Sequence, residues 1–129
     1  MFTLDQIKAA NSKVKSGADF PAYIRDLKQL GVVEYETFVK DGHTNYLGKN
    51  GYKVLSLARY AALTIVSVSQ AEQFKADLKA HQQGKTDYAT FCADCAKSGV
   101  EKWIVDLTNM TCTYFDQTEK LVLVEQVPN

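Results

Sequence analysis

Slid against itself by 68 positions, the sequence falls into register with itself, and this restricts the fold more than any compositional average. Asp19 falls on Asp87, Asp26 on Asp94, Gly31 on Gly99, Val32 on Val100 and Tyr46 on Tyr114. Phe20 meets Tyr88, Tyr23 meets Phe91, Tyr35 meets Trp103 and Val39 meets Leu107. Upstream, an offset of 67 sets Asp5-Gln6-Ile7-Lys8-Ala9 against Glu72-Gln73-Phe74-Lys75-Ala76 and Gly17 against Gly84, as one inserted residue requires. The matched positions are those that a core or a helix end fixes, so the pattern reads as an internal duplication. One unit covers about 1–57, the other about 69–129, and 58–68 connect them.

Each unit opens with the spacings of three and four that mark an amphipathic helix: Leu4, Ile7, Asn11 and Val14, then Ala71, Phe74, Leu78 and His81. Thr3 with Gln6 and Ser69 with Glu72 have the form of capping boxes. A second helix follows, opened by Asp19 or by Thr86-Asp87. It carries Phe20, Tyr23, Ile24 and Leu27, or Tyr88, Phe91, Cys92 and Cys95, and ends at Gly31 or Gly99. The period then switches to two: Val33, Tyr35, Thr37 and Val39 share a face, as do Glu101, Trp103, Val105 and Leu107. Asp41-Gly42 and Asn50-Gly51 are strong turn signals; Asn109-Met110 and 116–119 are weaker ones. The expectation is a single α+β domain over 1–129, built of two pseudo-symmetric helix-helix-strand-strand-strand units, with helices packed on one face of antiparallel sheet. A cleft is expected where the units meet, and the connector, with Leu63, Ile65, Val66 and Val68, is expected to add a strand.

Composition serves mainly to exclude. The 129 residues are 46% hydrophobic and 23% charged, the balance of a globular domain with its own core. Fifteen basic residues offset fifteen acidic ones and only Arg25 and Arg59 are arginines, so neither duplex nucleic acid nor an anionic membrane is an expected partner. The longest apolar run, 61–68, is broken by Thr64 and Ser67, and the first residues lack a basic segment followed by an apolar one. A cytoplasmic chain without signal peptide or membrane helix is therefore expected. The odd count of cysteines, Cys92, Cys95 and Cys112, points to free thiols in a reducing compartment.

The stretch His81-Gln82-Gln83-Gly84-Lys85-Thr86-Asp87-Tyr88, followed by Phe91-Cys92, Trp103, Asp106 and Met110-Thr111-Cys112-Thr113-Tyr114, resembles the YdfO-like family. So does 35–46 with its Asp41-Gly42-His43-Thr44 turn, and the resemblance extends over nearly the whole chain. These are small bacterial and prophage-associated proteins, sometimes labelled phage envelope protein. The resemblance implies one compact α+β domain in a bacterial or prophage setting. It transfers neither a catalytic residue nor a cofactor.

Several residue groups compete for a chemical role. Cys92-Ala93-Asp94-Cys95 has zinc-ligand spacing, and His81 with Cys112 would complete a Cys3His set. The repeat, however, sets Ile24 and Leu27 at the positions of Cys92 and Cys95, which favours two small hydrophobes on a buried helix face. A thioredoxin-like role needs an exposed pair at a helix start, whereas this pair lies within the helix. His81 replaces Val14, so it is either a hydrogen-bonded core histidine or a polar group aimed into the cleft. Around it Gln82, Gln83, Lys85 and Thr86 replace the plainer Lys15, Ser16 and Ala18. Asp106 stands where the first unit has Phe38, either lining the cleft or solvated on a sheet face. His43 with Asp41 is an acid-base pair or simply a surface turn. No nucleophile elbow and no glycine-rich phosphate loop is present, and no cofactor is expected. Tyr35, Tyr46, Tyr52, Trp103 and Tyr114 offer stacking surfaces, although a single-stranded nucleic acid would require a basic groove as well.

These observations favour a non-enzymatic domain that binds a small molecule in the cleft through His81, Gln82, Asp87, Trp103, Asp106 and Tyr114, with Asp41 and His43 as secondary candidates. A rival is a module that docks a protein partner through an exposed sheet face or helix pair. A third is an enzyme that pairs His81 or His43 with Asp106 or Asp41 as acid and base.

Overall fold

A computed structural model describes residues 2–15 and 17–127. Ser16, and Met1, Pro128 and Asn129 at the limits of the two units, lie outside the described residues. The first half contains α1 (Leu4–Asn11), α2 (Phe20–Leu30), β1 (Glu34–Phe38), β2 (Thr44–Leu47) and β3 (Lys53–Leu55). The second contains α3 (Ala71–Gln82), α4 (Tyr88–Lys97), β4 (Val100–Asp106), β5 (Thr111–Asp116) and β6 (Leu121–Gln126). The fold is α+β, with four helices packed against one six-stranded antiparallel sheet of order β3-β2-β1-β4-β5-β6.

Local chemistry sets the helix ends. The Thr3 hydroxyl accepts from the Gln6 N–H while the Gln6 side chain accepts from the Thr3 N–H, so the first capping box forms and α1 starts at Leu4. That helix buries Ile7 and Ala10 but stops at Asn11, leaving Val14 beyond its end. The second box does not form: Gln70, not Ser69, is the N-cap of α3 and no side chain caps it. The Gln70 N–H instead donates to the Ser98 carbonyl at 2.9 Å, which ties the chain to the α4–β4 turn and starts the helix at Ala71. Asp87 caps α4 by accepting from the Thr90 N–H at 2.8 Å. Asp19, its counterpart, caps nothing with its side chain and accepts from the Lys15 N–H at 2.9 Å. Gly31 (φ 101°) and Gly99 (φ 80°) adopt the left-handed backbone at the ends of α2 and α4 that the sequence requires of them.

The two halves meet through β1 and β4, with Tyr35 opposite Val105, Glu36 opposite Ile104 and Thr37 opposite Trp103. Adding 68 to the first member of each pair and subtracting 68 from the second returns the same set: 36↔104 maps onto itself and 35↔105 becomes 103↔37. The register therefore has the twofold symmetry of the sequence offset. Two sequence expectations fail nearby. The connector 58–68 adds no strand: its backbone N–H groups reach the β1–β2 turn, Arg59 to Asp41 and Leu63 to Lys40, and the end of α4, Val66 to Ala96, rather than a sheet edge. Glu101 does not join the inward face of Trp103 and Val105, because the pairing slips between Val100 and Lys102 and turns it half outward.

Across the sheet, the pairings lay two inward rows under the helices. One runs Thr44, Thr37, Trp103, Tyr114, Leu123, and the other runs Tyr46, Tyr35, Val105, Cys112, Glu125. Phe74 of α3, fully buried, presses on the first row against Tyr114 at 4.8 Å between ring centroids. The opposite face carries Glu36, Lys102 and Glu119 in a small ion-pair network. No helix among the described residues is long and apolar enough to cross a membrane.

Candidate functional site

Between the helices and the two inward rows lies a cavity of about 420 Å³. Its aromatic lining comes in pairs 68 residues apart: Phe20 with Tyr88, Tyr23 with Phe91, Tyr35 with Trp103, and Tyr46 with Tyr114. Thr44 with Cys112 continues the series at the same offset, and Asn11 with Leu78 and Val14 with His81 follow at 67. The cavity thus straddles the β1–β4 centre of the sheet, and these seven positions of each half line it in common. The phenols of Tyr23, Tyr35 and Tyr114 are pushed well above the ordinary tyrosine range, chiefly by burial, and stay as O–H groups.

Where the pairs differ, the second half is the more polar. His81, held near the end of α3, stacks on Phe91 at 4.4 Å and its Nδ1 lies 3.1 Å from the Thr86 carbonyl. A carbonyl only accepts, so the proton sits on Nδ1 and Nε2 carries the lone pair. Among the described residues no buried side-chain nitrogen or oxygen lacks a partner, and Nε2 has none, so Nε2 is open at the cavity wall. Burial holds His81 below the usual histidine range, against the opposing hydrogen bond from Thr86 and the charges of Asp87 and Asp94. Next to it, Gln82 Nε2 donates to Glu125 Oε1 at 2.9 Å. Glu125 is half-buried at the β6 end of the second row, and its carboxyl is raised by desolvation, with the Gln82 bond acting against that rise.

Of the residues that the sequence singled out, His81, Gln82, Trp103 and Tyr114 line this cavity, and Asp87 and Asp106 do not. Asp87 is the α4 cap, and hydrogen bonds from Thr90 lower its carboxyl. Asp106 holds the β4–β5 turn by accepting from the N–H groups of Thr108 and Asn109 and the Asn109 amide; the bonds from Asn109 lead in lowering it. Asp41 and His43 sit apart, on the β1–β2 turn, with His43 Nδ1 2.5 Å from Asp41 Oδ1 and its ring stacked on Phe38. The cysteines are buried in the core and burial raises all three thiols, Cys112 to about 12. Among the described residues no three His, Cys, Asp or Glu side chains gather as a metal would need, so His81, Cys92, Cys95 and Cys112 do not form a ligand set.

The sequence reading missed Glu125 and Arg59. Glu125 was legible in one respect, since the 68-residue offset sets this carboxylate against Leu57. Arg59, in the irregular connector, stacks over Tyr88 at 4.9 Å beside the cavity and had no periodic pattern to mark it.

The depressed His81 gives a pH dependence whose sign is fixed. Above the unfolded value, about 6.5, histidine is neutral in both states and contributes nothing; below it the unfolded chain takes the proton more readily, so stability falls as pH falls. The lowered carboxyls of Asp41, Asp87, Asp106 and Asp116 act only below about pH 4, outside that window. Thermal melts from about pH 7.5 to about pH 5.5 should show a smaller decline for His81→Phe than for wild type. Parallel declines would mean that His81 is not held neutral.

A stretch of 44 residues, 32% of the chain, is 48% identical to an uncharacterized protein of Mycobacterium bovis and to uncharacterized proteins from two strains of Mycobacterium tuberculosis. That stretch covers 27% of each relative, so the chain spans about a quarter of the length of the curated relatives it matches. Residues 8–126 match the family model described as "Protein of unknown function (DUF1398)", and since that is most of the chain, the chain belongs to this family.

Proposed function

We propose that this protein binds a small organic molecule in the cavity between its helices and its sheet, without catalysing a reaction on it. The observation that carries the reading is the paired aromatic lining of a space of about 420 Å³, within the usual range for small-ligand sites and bordered by polar side chains that can orient a ligand. Burial keeps the Tyr35 and Tyr114 phenols and the Cys112 thiol protonated, so these groups serve the cavity as lining rather than as nucleophiles. The symmetric register supports descent of the two halves from a duplicated unit. The residues shared with YdfO-like proteins support a bacterial or prophage setting, and the balanced charge supports a cytoplasmic protein that needs neither duplex nucleic acid nor a membrane.

A second reading rests on β6, an edge strand whose Leu121 and Val124 are exposed, where a protein partner would add a strand. The test is a thermal-shift screen against metabolites, nucleotides and divalent metals, read together with the emission of Trp103, the only tryptophan. A ligand at about one hundred times its Kd should raise Tm by roughly 10 °C and change that emission. A shift without a Trp103 response would place the ligand elsewhere, and silence in both would turn attention to β6 and a pull-down.

A further inference from the structure

Resting on the reading of the cavity as a binding site, we propose that its occupant is an organic cation, a protonated amine on a flat apolar body, whose N–H groups are taken by Glu125 and His81. Two acceptors border the cavity, Glu125 on β6 and His81 on α3, and His81 is next in the chain to the Gln82 whose amide bonds Glu125. The Glu125 carboxylate has a single protein partner, the Gln82 amide, and among the described residues no Lys, Arg or His nitrogen lies within salt-bridge reach of it. His81 presents the lone pair of Nε2, its proton being committed to Thr86 on the other side of the ring. A half-buried carboxylate without a counter-charge is costly to keep, and a ligand ammonium would relieve that cost.

The walls favour the same charge. The faces of Trp103, Tyr114, Tyr35 and Phe91 are rich in π density, and desolvated cations are held by such faces. Trp103 and Tyr114 stand 6.2 Å apart between centroids in a tilted arrangement, which gives a ligand ring and its attached ammonium both edges and faces to meet. The cationic side chains that also border the cavity, Lys15 and Arg59, are exposed. Water solvates them already, so they do not demand an anion as the carboxylate demands a cation. Glu125 takes the place that Leu57 holds in the first half, and His81 that of Val14, so both acceptors belong to the half that departs from plain packing.

The experiment compares three probes of one shape and different charge, phenethylamine, phenethyl alcohol and phenylacetate, by titration of Trp103 emission in wild type and Glu125→Gln. Wild type should bind the amine about tenfold or more tighter than the alcohol, with the carboxylate weakest. Glu125→Gln keeps an oxygen for the Gln82 amide; in it the amine should fall to the affinity of the alcohol, which itself stays unchanged. Equal affinities for amine and alcohol in wild type, or tightest binding of phenylacetate, would overturn the cation and leave the cavity standing. An amine preference that survives in Glu125→Gln would overturn the assigned acceptor. Failure of all three probes to bind would overturn the cavity reading with it. Should Glu125→Gln prove unfolded in a thermal melt, the wild-type order of the three probes still decides the charge.

Discussion

Gly99→Ala should lower the stability of the fold by about 2–5 kcal/mol, several times the loss caused by Gly31→Ala. The two glycines occupy matching places, each closing the second helix of its half with a positive φ, 80° and 101°. An alanine at either site is strained by its backbone, at about 1 kcal/mol for a left-handed residue. Their surroundings separate them. A methyl group on Gly31 would meet only the Phe2 ring, at 4.0 Å. On Gly99 it would stand 2.8 Å from the Ser69 Cα and 2.8 Å from the Val68 carbonyl oxygen, both backbone atoms without a rotamer by which to withdraw. That segment is the end of the connector, and it is tied down by the bond from the Gln70 N–H to Ser98. Relief at Gly99 thus means displacing the start of α3, which carries Phe74, Leu78 and His81 onto the sheet. Chemical denaturation of the two variants measures the difference, and equal losses would mean that the connector does not press on the α4–β4 turn.

That contrast also shows how far the sequence speaks. The offset of 68 specified both helix ends and, through the period switch after each, the strands that follow them. These are local signals written in one residue's conformation or one face's periodicity. Part of what the sequence left open depended on neighbours distant in the chain. Ser69 with Glu72 has the same local pattern as Thr3 with Gln6, yet the Gln70 N–H is tied to the Ser98 carbonyl in the turn after α4 and α3 starts one residue later, a contact no local pattern encodes. Asp87 and Asp106, both expected at the cleft, are instead used locally: Asp87 accepts from the Thr90 N–H at the helix start that the sequence marks, and Asp106 from the N–H groups of Thr108 and Asn109 and the Asn109 amide. Their role was a local cap and a local turn. His81 was the reverse case: its replacement of Val14 was visible in the sequence, while the geometry that leaves Nε2 open needed the Thr86 carbonyl to be in place.

Filling the cavity from its floor should abolish binding while leaving the fold in place, and Cys112→Phe is the substitution that does this. Cys112 sits in the second inward row between Val105 and Glu125, it is 3% exposed, and its side chain lines the cavity. It gives up little chemistry, because a thiol is a weak hydrogen-bonding group and this one stays protonated. The added ring enters space that now lacks partner atoms and gains dispersion contacts there, against crowding of Tyr114 and Tyr35. The net loss of stability should be about 1–3 kcal/mol, the usual cost of a small-to-large change in a packed site, which leaves the fold in place. The response of Trp103 to any ligand or probe that binds wild type should disappear, a loss of affinity of about a hundredfold or more, since the ring occupies the volume the ligand would take. Cys112→Ala, which removes the same thiol without filling the space, should keep that response. Binding that persists in Cys112→Phe with unchanged affinity would place the ligand outside this cavity, and loss in both variants would assign the role to the thiol itself rather than to the space above it.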